Sequence, residues 1–139
     1  MFLTGEVPRK TSFEKPDPRL FSEMDGKKEP DLILDDQSLA IETEKGLVLI
    51  LGCAHSGMIN IIHHVMEKTG KQNFYAVLGG THLGFLAPEQ LEKSIASLKR
   101  LDVKKIGVSH CTGMLVACRL HQEFGDRYFY GHVGSVLEV

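Results

Sequence analysis

The chain has 139 residues, the size of one domain, and folding at that length buries roughly two thirds of the unfolded surface. Its apolar fraction of 42%, charged fraction of 24% and formal net charge of -2 are ordinary for a globular protein, and they give no pull towards nucleic acid or anionic lipid. No apolar run approaches the roughly 20 residues that span a bilayer, and Met1-Phe2-Leu3-Thr4 lacks the basic start and apolar stretch of a signal peptide, so a cytoplasmic protein without a membrane partner is expected.

Residues 1–45 form a loop-rich lead-in to a single domain. Prolines 8, 16, 18 and 30 are interleaved with charges (Lys15-Pro16-Asp17-Pro18-Arg19, then Asp25-Gly26-Lys27-Lys28-Glu29-Pro30), a composition of turns and extended chain. A loop of this length is functional, mobile or held against a partner. Short strands are expected near Leu32–Leu34 and Leu39–Glu42, flanking Asp35-Asp36-Gln37.

From residue 46 to 139 strands and helices alternate. The apolar run Leu47–Leu51 precedes a helix from about Gly57 to Lys68, with Met58, Ile61, Ile62 and Val65 at helical spacing. Phe74–Leu78 leads to a helix opened by Pro88 and striped by Leu91, Ile95 and Leu98. Lys105–Val108 leads to a third, running from an N-cap at Thr112 to Phe124, and strands are expected at Tyr128–Tyr130 and Val133–Val139. The pattern predicts an α/β class with a largely parallel sheet. The strands are apolar throughout, so both sheet faces expect cover, yet three helices cover only one comfortably. One face is therefore expected to pack on something outside this chain.

Three of the seven histidines occupy equivalent places. His55 follows Leu51-Gly52-Cys53-Ala54, His82 follows Leu78-Gly79-Gly80-Thr81, and His110 follows Val108-Ser109. Each lies past the C-terminal end of a strand, the edge where open α/β sheets bind ligands. Imidazoles from adjacent strand ends, about 4.8 Å apart, can converge on one ion. The pattern leaves both a shared metal and ordinary polar loop histidines open. If the three hold zinc, an open fourth position would carry a water activated near neutral pH. His63 and His64 are assigned with Asn60, Glu67 and Lys68 to the outer face of their helix, and His121 faces outward likewise. Cys53, Cys111 and Cys118 form no CxxC pair and read as reduced thiols, the first two as small buried residues beside turns that are not needed as ligands. No nucleotide-binding glycine motif occurs.

Gly52-Cys53-Ala54-His55-Ser56-Gly57-Met58-Ile59-Asn60-Ile61, Gly79-Gly80-Thr81-His82-Leu83 and Ser109-His110-Cys111-Thr112-Gly113 resemble the last three metal motifs of a metallo-β-lactamase branch. That branch includes the dihydropterin-methyl-transferring synthases of methanopterin biosynthesis and related metal-dependent hydrolases. Thr4-Gly5-Glu6-Val7-Pro8-Arg9, with Phe13-Glu14, and Asp35-Asp36-Gln37-Ser38-Leu39 resemble it in the same order. The resemblance implies that His55 and His110 are metal ligands, with His82 where most of the superfamily carries a bridging aspartate. It also implies that the fold is the C-terminal half of an αβ/βα sandwich, a mixed sheet with helices on one face. The superfamily's His-x-His-x-Asp-His cluster is nowhere in the sequence.

The expected function is a metal-dependent hydrolase, or a pterin-type transferase, acting on a small-molecule substrate and incomplete without the other half. A divalent metal, zinc by preference, would be held by His55, His82 and His110. The expected partner is a second copy or a separate N-terminal half covering the open sheet. Asp35, Asp36 and Glu6 are the candidate carboxylates, each also readable as a solvated loop residue. The alternative is a non-catalytic α/β interaction module or oligomer with a relic or structural metal site.

Overall fold

The computed structural model describes residues 1–139. The lead-in contributes β1 (Phe2–Leu3), a hairpin of β2 (Phe21–Met24) and β3 (Lys27–Pro30), and β4 (Ser38–Thr43). Then β5 (Gly46–Leu51), α1 (Met58–Thr69), β6 (Phe74–Gly80), α2 (Pro88–Arg100), β7 (Lys105–Ser109), α3 (Met114–Phe124) and β8 (Tyr128–Tyr130) follow. One six-stranded mixed sheet has the order β1-β4-β5-β6-β7-β8, with β5 to β8 parallel and β4 antiparallel to both of its neighbours. No helix is long and apolar enough to cross a membrane.

Successive parallel strands advance in one direction along the sheet, so right-handed crossovers place all three helices on the same side. Leu47, Leu49 and Leu51 of β5, Val77 of β6, and Ile106 and Val108 of β7 meet Met58, Ile61, Ile62 and Val65 of α1, Leu98 of α2 and Leu120 of α3 in one core. The alternate positions face the other way. There Ile50 is 37% exposed, and the ring of Phe129 lies where a side chain on Gly107 would stand. Glu138 crosses nearby, its carbonyl accepting from Lys45 Nζ and Tyr75 Oη at 3.2 Å each. The helix-free face is thus only partly covered: Val48 and Ala76 are buried there, but Ile50 is not.

The structure corrects several sequence-based assignments. Residues 32–34 form no strand: Asp31 Oδ1 accepts from the Ile33 amide at 2.8 Å and Ile33 adopts φ 48°, which makes a turn. Residues 133–139 form no strand either, because the sheet already ends at β8 and they run across its face. Composition marks the β2–β3 hairpin as loop, yet Asp25-Gly26, both at positive φ, makes a two-residue hairpin turn there. Its strands are exposed throughout, so no apolar alternation marked them. Gly113, not Thr112, caps α3, because the Thr112 hydroxyl accepts from the Thr81 amide and hydroxyl at 3.2 and 3.0 Å. Asn60 and His64 are buried, not on a solvated face, because the lead-in crosses that side of α1. Asn60 Oδ1 accepts from the amides of Lys10 and Thr11 at 2.9 and 2.7 Å, and His64 Nε2 lies 3.2 Å from the Thr4 carbonyl.

The one-sided core has a measurable consequence. Leu49→Ala should cost about 2–5 kcal/mol by urea denaturation, and Ile50→Ala, one residue along on the other face, less than about half of that. Equal losses would mean that both faces are equally well packed.

Candidate metal centre

The C-terminal ends of β5, β6 and β7 carry the three tight turns read from the sequence. Ala54, His82 and His110 sit in the left-handed region at φ 60°, 55° and 52°. Such conformations cost residues with a Cβ of order 1 kcal/mol or more, and they persist only where surrounding contacts enforce them. Here the His82 amide donates to Cys111 Sγ at 3.3 Å, and its carbonyl accepts from the Phe85 amide at 3.3 Å. The Thr81–Thr112 hydroxyl contact ties the β6 and β7 turns together.

His55 and His82 are brought together, with ring centroids 4.3 Å apart. His82 is buried and His55 half-buried, and the Nδ1 atom of each is buried with no hydrogen-bond partner. Burial, followed by the neighbouring His82, lowers the pKa of His55. The Nε2 atom of His82 lies 3.0 Å from Asp17 Oδ2. Asp17 is buried, and its carboxyl is held well below the usual range, first by the Arg19 guanidinium that clasps it. An ionised carboxylate can only accept, so Nε2 of His82 donates to Asp17, and Nδ1 is the ring nitrogen left without a partner.

His110 is exposed and lies with a different set. Its ring, Cys53 Sγ and Cys111 Sγ are the metal-donor atoms gathered within 4.8 Å of one another. Burial pushes the Cys111 thiol up to about 11, and its Sγ lies 3.5 Å from the Cys53 carbonyl oxygen. The three cysteines are free thiols. The strand-end edge therefore holds two adjoining donor groups, an imidazole pair and a thiol–imidazole triad, joined through the His82–Cys111 contact.

The lead-in supplies the supports. Asp36 accepts from the Cys53 and His55 amides at 3.2 and 2.9 Å, whereas Asp35 and Glu6 are exposed. Arg9 donates to the carbonyls of His55 and Leu32 at 2.7 Å each. The Glu14 carboxylate, buried, accepts from the Ile59 and Asn60 amides at 2.8 and 2.7 Å, the free donors of the first turn of α1. A Cβ on Gly57, the residue before that turn, would fall 2.3 Å from Glu14 Oε2, so a glycine is needed at that position. Sequence reasoning about chemistry singled out neither Glu14 nor Asp17. A charged residue in a proline-rich run gives no local sign that it is buried, and Glu14 stood out only within the family resemblance.

No protein-family profile matches the chain. It is 35% identical over 141 residues to the 7,8-dihydropterin-6-methyl-4-(beta-D-ribofuranosyl)-aminobenzene-5'-phosphate synthase of Methanocaldococcus jannaschii, over 99% of this chain and 48% of that protein. An uncharacterised protein of the same organism is 33% identical over 139 residues, over 100% of this chain and 50% of the relative. Among solved structures, the crystal structure of a metal-dependent hydrolase of the beta-lactamase superfamily matches with a TM-score of 0.82 and 29% identity. That match covers 99% of this chain and 53% of the other. The chain spans about half the length of the curated relatives it matches.

The Glu14 contact carries a pH dependence. Burial outweighs its two amide donors and raises its pKa from 4.5 to about 7. The folded chain therefore takes up the proton more readily than the unfolded one. The stability this contributes is complete below about pH 4.5 and is lost as pH rises through about 7. In urea unfolding, the stability difference between wild type and Glu14→Gln should move against wild type by about 3 kcal/mol between pH 4.5 and pH 8. A difference independent of pH would show that Glu14 stays ionised throughout.

Proposed function

We propose that this chain, which has the fold of one half of a metallo-β-lactamase-superfamily sandwich, supplies part of the metal centre of a metal-dependent hydrolase. The observation that carries the proposal is the pair of buried, unpartnered Nδ1 atoms of His55 and His82, at the strand edge where such sheets bind ligands. Nitrogen atoms withheld from every hydrogen bond cost stability unless something else engages them. His55 and His82 would hold the ion, with His110 joining them by turning its exposed ring away from the two thiols, and three imidazoles suit zinc. Bound there, it would supply a water activated near neutral pH.

The chain's own residues do the positioning. Asp17 holds the tautomer and ring orientation of His82, Asp36 and Arg9 fix the backbone of His55, and Glu14 anchors the lead-in that brings them. The half-length match and the partly covered sheet support a C-terminal half that works with a second copy or a separate N-terminal half. The synthase among the relatives supports a transferase acting on a small pterin-like substrate as a variant of the same centre. Three free thiols suit a reducing cytoplasm.

Elemental analysis of protein purified without chelator should find stoichiometric metal, reduced in His55→Ala. Hydrolysis of a generic phosphodiester or lactone should fall with it. A chain that is metal-free, inert and obligately oligomeric would favour an interaction module instead.

A further inference from the structure

We propose that Cys53, His110 and Cys111 form a thiolate–imidazole site for a thiophilic d10 cation such as zinc, cadmium or cuprous ion, complete within this chain. It shares His110 with the centre described above, but needs neither His55 nor His82 nor any residue from another chain. The three donor atoms already lie within 4.8 Å of one another. Sulfur and nitrogen donors around one tetrahedral ion stand about 3.5–3.8 Å apart, given metal distances of about 2.3 and 2.0 Å. Small side-chain rotations close that gap.

The placement follows from the sheet. Cys53 follows β5 and Cys111 follows β7, strands that are not neighbours because β6 lies between them. Their thiols meet over the end of β6, where the chain is Gly79-Gly80. A Cβ on Gly80 would fall 2.8 Å from Cys111 Sγ and 3.3 Å from Cys53 Cα, so any side chain there would displace the Cys111 sulfur. The His82 amide, donating to Cys111 Sγ, fixes the direction of that sulfur. His110 is exposed and Cys53 half-buried, which leaves the triad open to an ion from solvent. Two soft sulfurs beside one nitrogen select zinc, cadmium or cuprous ion over the hard cations magnesium and calcium. On binding, each thiol releases its proton to solvent and becomes a thiolate ligand.

The probe is cadmium ion, titrated into the reduced full chain while thiolate-to-metal charge-transfer absorption is followed in the ultraviolet. One equivalent should saturate the band. Cys53→Ser and Cys111→Ser should each abolish it, and Cys118→Ser, His55→Ala and His82→Ala should leave it. On the unmutated protein, bound cadmium should protect Cys53 and Cys111 from alkylation while exposed Cys118 stays reactive, read by mass spectrometry. That second reading does not depend on any variant folding. Cadmium bound without the band, or Cys53 and Cys111 alkylated as fast as in the free protein, overturns the thiolate site. Metal lost in His55→Ala but kept in Cys53→Ser would leave the imidazole centre standing and remove this one. A cadmium band in a chain without hydrolytic activity would do the reverse.

Discussion

A carboxylate placed against the start of a helix organises this protein's functional edge. The first turn of α1 has no capping side chain of its own, because Gly57 precedes it, and Glu14 fills that role from 45 residues away. The contact pins the middle of the lead-in, and with it Arg9 upstream and Asp17 downstream. Each then reaches a histidine turn: Arg9 the carbonyl of His55, Asp17 the ring of His82. Without that anchor, the part ahead of β4 has little apolar surface to hold it, since only Val7 and the half-buried Phe2 and Phe13 of it pack on the core. The polar contacts therefore position the chain, and the apolar ones add modestly.

The sequence disclosed the parts of the fold that rest on periodicity. The strands from β4 to β8 and all three helices lie within a few residues of where apolar spacing puts them, and the histidine turns follow from strand ends meeting small residues. Local pattern could not disclose burial caused by distant chain. Asn60 and His64 sit on the polar side of α1 by every helical count, yet the lead-in covers them. Asp17 stands between two prolines in a charged run, where solvation is the natural reading, yet Arg19 and His82 enclose it. The division of donors into an imidazole pair and a thiol–imidazole triad was equally out of reach, since it depends on β6 ending in two glycines between the neighbouring turns.

The sheet itself divides along the same line as its composition. Its helix side is a continuous core, and its other side carries half-exposed apolar residues with one length of tail across them. A parallel sheet normally has both faces covered, and here only the helix side has its full cover within the chain. The histidine turns lie at the strand-end edge of that helix-bearing layer.

The contacts that support the histidines are also among the most non-local in the chain. Glu14 to Ile59, Arg9 to His55 and Asp17 to His82 close loops of 45, 46 and 65 residues. Closing such loops is entropically slow compared with forming the β4–β5 hairpin or a single β-helix-β unit. The strands from β4 onward and the helices can thus assemble while residues 1–37 are still unattached, and the donor edge is completed last. In the native ensemble the order runs backwards: residues 1–37 place little apolar surface on the core, so their detachment costs less than opening the layer itself. The surroundings of the histidines are then governed by a partial unfolding equilibrium of their own, separable from the stability of the layer beneath.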